Sequence, residues 1–161
     1  MNAAHWHLLL NHAPFFGVLI GVLILSYGMV VKNKSILQTA LVVFIFSMLI
    51  AIPVYLTGDP AAHLIKNIPT LKIDAHLIHE HEEAADIWLC AIIGIGIFSA
   101  FIGYWERKNK NQTSILYSFL LIAATIVVAG LANVNYKGAM IRHDEIINSS
   151  TSNKAGEKDD D

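Results

Sequence analysis

HLIHEHEEAADIWLCAIIGIGIFSAFIGYW, residues 76–105, decides how this chain folds. Its first eight residues hold three histidines and three glutamates, and after Asp86 nineteen residues pass without a charge. One helix accounts for both halves. Asp74 is placed to cap it, since a carboxylate just before a helix accepts from the free N–H groups of the first turn. A helix over residues 75–104 would be about 45 Å long at 1.5 Å per residue, whereas the hydrocarbon core of a bilayer is about 30 Å thick. Its first turns must therefore stand above the apolar layer, and those turns carry the histidines.

Three more apolar blocks of membrane-crossing length lie over residues 8–31, 36–56 and 114–134, with 84–104 as the apolar part of the quoted helix. A span needs about 20 apolar residues. The blocks lack the polar face that a soluble bundle turns to water. The chain is 55% hydrophobic and 15% charged with a mean hydropathy of +0.52, which agrees with a largely membrane-embedded protein. No Lys or Arg precedes the first block, so it does not have the form of a cleaved signal peptide. The expected architecture is all-α. It is an integral membrane four-helix bundle forming a single domain over residues 1–148. A polar, acidic tail over 149–161 is expected to be disordered.

The connections set an orientation. Lys32 and Lys34 lie between the first two blocks, and Arg107, Lys108 and Lys110 between the last two. Lys66, Lys72, Lys137 and Arg142 are spread over the longer segments on the opposite side. The denser positive charge places the short loops in the cytoplasm. Both termini and the long loop over 57–83 would then face outward, in a bacterial inner membrane towards the periplasm. In that loop Thr57-Gly58-Asp59-Pro60 reads as a helix stop and a new start. A short interfacial helix from residue 60 to about 67 would carry His63. Gly17-x-x-x-Gly21 and Gly96-x-x-x-Ala100 are small-residue pairs suited to close helix packing, and the glycine faces would also allow a homodimer.

The net charge of -2 and the lack of a basic patch give no case for nucleic acid. The single Cys90 permits no intrachain disulfide, and in hydrocarbon its thiolate would be costly. No nucleophile–base arrangement is visible, so the sequence leaves open whether the protein is an enzyme. What it does carry is eight histidines, all on the outer side of this topology: His5, His7, His12, His63, His76, His79, His81 and His143. His12 sits well inside the first apolar block. His76, Glu83 and Cys90 share one helix face, and His79 with Asp86 forms the adjacent stripe, with Glu80 between them. His81 points elsewhere, towards solvent, and His5 and His7 read as a frayed terminus. Asp86 lies at the edge of hydrocarbon, where an ionisable side chain usually faces the bundle.

Three chemistries suit histidines converging at one membrane face. A b-type haem needs one or two neutral imidazoles and an apolar slot, which Phe15, Phe16 and Trp88 could line. The expected ligands are His12 and His79, with His76 and His63 as substitutes. Glu80, Glu83 and Asp86 would orient imidazole N–H groups or carry protons. A Cu, Fe or Zn site could instead draw on His76, His79, Glu83, His12 and His143, though no tight motif such as HExxH occurs. The third chemistry is a proton or ion pathway, but ionisable residues are missing from the inner halves of the four segments. A further alternative is a structural subunit whose outer face docks a periplasmic partner.

The segments HWHLLLNHAPFFG, IPVYLTGDPAAH and HEHEEAADIW resemble a family of small four-helix bacterial inner-membrane proteins without an assigned function. More loosely, the layout is similar to small membrane-anchored b-type cytochromes, which bind haem between histidines on different helices. That likeness is one of architecture without a shared motif. The function expected from the sequence is a membrane-embedded redox protein with a b-type haem at its outer face, acting as an electron-transfer subunit for a respiratory or periplasmic redox partner.

Overall fold

The computed structural model describes residues 3–66, 74–108 and 114–156, with side chains described over 5–64, 74–108 and 114–141. Six helices follow in order: α1 (Ala3–Leu10), α2 (Ala13–Val30), α3 (Lys34–Leu56), α4 (Gly58–Lys66), α5 (Ala75–Lys108) and α6 (Ser114–Gly156). Four long helices are apolar enough to cross a membrane by length and composition, as expected. They pack as a ring in the order α2, α3, α5, α6, which closes back on α2, while α1 and α4 lie against each other and against α3.

The helix ends follow from local chemistry. Lys32 adopts a positive φ of 52°, and the Asn33 N–H bonds to the Gly28 carbonyl at 3.1 Å. This left-handed C-terminal turn satisfies carbonyls that the end of α2 would otherwise leave free. The Asn33 side chain then caps α3 by accepting from the Ser35 and Ile36 N–H groups. Asp74 caps α5 as expected, its carboxylate accepting from the His76 N–H at 2.9 Å.

The expected first span is divided. Asn11 and His12 form a turn between α1 and α2, and Pro14 falls in the first turn of α2, where its missing N–H removes no helical bond. Pro14 therefore starts the helix proper. Other limits differ in extent. The short helix begins at Gly58, two residues before the expected Pro60, and α5 runs four residues past Tyr104. α6 continues beyond Val134 into the polar C-terminal segment.

The core holds Val18 and Leu25 from α2, Ala40 and Phe44 from α3, Ile92, Ile95 and Ile102 from α5, and Leu120 and Ala124 from α6. Small residues set how closely the helices approach. A methyl group on Gly21 would lie 2.5 Å from the Phe44 ring, and one on Gly17 would overlap Ser47. Gly96 seats Met48, but Ala100 is exposed, so only the first member of that pair makes a helix contact. Hydroxyl groups within the spans bond to their own backbone: Ser47 to the Val43 carbonyl, Ser99 to Ile95 and Thr125 to Leu121, all at 2.7–2.8 Å. A polar group in an apolar surrounding must find such a partner.

Glu106, two residues past the expected end of the third span, lies in α5 and is only 6% exposed, where Gln38 of α3 donates to its Oε2 at 3.4 Å. The end of the bundle away from the histidines thus contains one buried carboxylate.

Candidate functional site

A cavity of about 600 Å³ opens at the end of the bundle that carries the histidines. All six helices contribute to its walls. The apolar lining comes mainly from Phe15, Val54, Ile78, Leu89, Ile92 and Leu131. Among the described residues, the polar lining comprises His7, Asn11, His12, Tyr55, Asp59, His81, Glu82, Asp86 and Asn135. Its volume falls in the range of small-molecule and cofactor sites, roughly 300–1,000 Å³.

His7 and His81 enter this cavity in the same manner. The Nδ1 of His7 lies 3.0 Å from the Val54 carbonyl oxygen, and the Nδ1 of His81 lies 3.1 Å from that of Val134. Each carbonyl stands four residues before a glycine, Gly58 or Gly138, and each glycine faces the imidazole edge. Built Cβ atoms would lie 3.6 Å from the His7 Cε1 and 3.1 Å from the His81 Cε1. A helical carbonyl already accepts from the N–H four residues on. At Gly138 a side chain would crowd the ring, so glycine there lets the His81 imidazole reach the same oxygen, whereas a Cβ at Gly58 would make only ordinary contact with His7. Both acceptors are carbonyls, which cannot donate, so Nδ1 carries the proton and Nε2 keeps its lone pair in the neutral ring.

Both side chains occupy core-facing positions. His7 is one heptad before Pro14, which begins the buried stripe Pro14, Val18, Gly21, Leu25 and Gly28. His81 falls between Ile78 and Ala85 on α5, three and four residues away, in line with buried Ile92. Neither matches its expected placement. His7 is packed and hydrogen-bonded, where a frayed terminus was expected. His81 is half-buried, where a solvated side chain was expected. The reason is that helical phase outranks the polar character of the neighbouring sequence.

Of the residues singled out from the sequence, His12 and Asp86 line the cavity. His12 is exposed and makes no capping bond from its side chain. Asp86 accepts from the Tyr55 hydroxyl at 2.7 Å, joining α3 to α5 at the cavity wall. His76 and His79 lie on the exposed face of α5, each beside the carboxylate one turn on: His76 with Glu80 at 3.9 Å and His79 with Glu83 at 3.3 Å. Lys137 of α6 also pairs with Glu80 at 3.4 Å. His63 is exposed on α4. His76, His79, Glu80, Glu83 and His63 take no part in the cavity lining. The His143 side chain lies outside the described residues. Among the described residues, no three His, Cys, Asp or Glu side chains form a group able to hold a metal ion. Of the expected slot aromatics, Phe15 lines the cavity, Phe16 is exposed, and the Trp88 indole packs against Gly130.

Fold and site together define a bundle of four apolar, membrane-length helices with an imidazole-lined cavity at one end. Comparison with protein families, curated proteins and solved structures finds no match, and no family is identified.

Proposed function

We propose that the protein is a multi-pass membrane redox protein that holds a b-type haem in this cavity and transfers electrons at the outer membrane face. The observation that carries this reading is an apolar cavity of about 600 Å³ into which imidazoles converge from separate helices. Haem binding asks for a slot for the ring and one or two neutral imidazoles. The residues present fit both demands. When bound, the haem supplies one-electron chemistry, and the chain supplies the ligands, the apolar surround and the exclusion of water.

The density of Lys and Arg in the two short loops favours a cytoplasmic placement for them, with the cavity facing the periplasm of a bacterial inner membrane. In that arrangement α4 lies at the outer interface, and the partner is a periplasmic or respiratory redox protein. The test is titration of the purified full chain in detergent with haemin. A Soret band that saturates at one haem per chain, and that is absent from protein-free micelles, supports the proposal. Linear partitioning indistinguishable from empty micelles overturns it.

A further inference from the structure

We infer that His7 and His81 are a matched pair of ligands that hold a macrocycle-bound iron between them through their Nε2 atoms. This rests on the haem reading and specifies its chemistry. Of the three described histidines that line the cavity, two share this mode of attachment. In each, a valine carbonyl takes the Nδ1 proton, and a glycine stands four residues on, facing the imidazole edge. The device occurs once where α1 meets the junction of α3 and α4, and once where α5 meets α6. The two rings thus approach the cavity from separate walls.

The consequence is chemical. A metal-ligating imidazole usually donates its other N–H to a carbonyl or carboxylate, which fixes the tautomer and the ring plane. His7 and His81 have that arrangement, so coordination through Nε2 would displace no proton and need no ring flip. Val54 and Val134 act as orienting acceptors, and Gly138, where a Cβ would lie 3.1 Å from the His81 ring, is a positioning residue. The Val54 carbonyl also accepts from the Thr57 hydroxyl at 2.9 Å, which fixes it further. His12 lacks a capping bond, while His76 and His79 sit beside carboxylates on an exposed face. None of these three is held in this way.

The experiment has two parts, both on the full chain. First, ¹⁵N-histidine NMR of the haem-free protein reads the tautomers, and resonances assigned by His7→Gln and His81→Gln should show Nδ1–H with an unprotonated Nε2. An Nε2–H tautomer at either ring overturns the inference. Second, haemin is added to the wild type and to the His7→Ala, His81→Ala and His79→Ala variants, and absorption and EPR spectra are recorded. The wild type and His79→Ala, whose changed residue lies outside the cavity lining, should give a six-coordinate, low-spin spectrum. His7→Ala and His81→Ala should each give a high-spin spectrum that added imidazole returns to low-spin, which also shows that the variant is folded. Gly138→Ala crowds the His81 ring and should weaken haem affinity about tenfold, as loss of an orienting contact does. Unchanged low-spin spectra in both the His7→Ala and His81→Ala proteins overturn this pair while leaving the haem reading intact. A wild-type chain that takes up no haem overturns both.

Discussion

The Nδ1 of His81 bonds to the carbonyl oxygen of Val134 across the α5–α6 interface at 3.1 Å, one helical turn before Gly138. This contact turns a histidine within an acidic, polar stretch inward to a cavity wall. It links a feature of the backbone, a carbonyl left open by glycine, to the protonation of a side chain.

Gly130 is set against the face of the Trp88 indole, and any Cβ there would overlap the ring. Gly130→Ala should therefore destabilise the α5–α6 packing by about 1–3 kcal/mol, the usual cost of overfilling a packed site. Thermal unfolding in detergent measures it. Combining the change with Trp88→Phe should recover part of the loss, because the smaller ring makes room.

Glu106 and Gln38 join α5 to α3 at the far end of the bundle. Glu106→Ala removes the acceptor of the exposed Gln38 amide, which water can replace, and should cost about 0.5–1.5 kcal/mol, the usual net worth of one hydrogen bond. Chemical unfolding followed by tryptophan fluorescence would report it. The cavity is at the opposite end, so haem affinity should not change.

The pairs His76–Glu80 and His79–Glu83 are solvent-exposed, with both histidine side chains about two-thirds or more accessible. Exposed ion pairs are worth about 0–1 kcal/mol. His76→Ala and His79→Ala, alone or together, should shift stability by no more than that and leave haem uptake as in the wild type. A loss of uptake in His79→Ala would move the site from the cavity to the α5 surface.

How much of this was legible in the sequence depends on the length of the signal. Four membrane-length apolar helices, the Asp74 cap and the single helix that carries both the histidines and the apolar run could be read because each rests on composition or on a local bond within one segment. The cavity-facing histidines could not be read in the same way. His7 and His81 are distinguished by phase relative to core positions many residues away: His7 by its heptad step to Pro14, His81 by its place between Ile78 and Ala85. Counting from the neighbouring glutamates gave prominence to His76 and His79. Their polar surroundings reflect solvent. Glu106 was hidden for a related reason. Its basic neighbours Arg107 and Lys108 suggested a loop, while its partner Gln38 is 68 residues away in the chain.

The orientation has its own test. On a Cys90→Ser background, a membrane-impermeant maleimide added to intact spheroplasts should label Asp59→Cys and spare Ser35→Cys until the cells are lysed. The reverse pattern would place the cavity in the cytoplasm.

The most direct test of the functional claim is a reduced-minus-oxidised absorption spectrum of the purified protein, made with haem supplied during expression. A sharp reduced α-band with a shifted Soret band is the predicted result, since two neutral imidazoles give a low-spin b-type haem. A flat difference spectrum from a folded, monodisperse preparation would contradict the account.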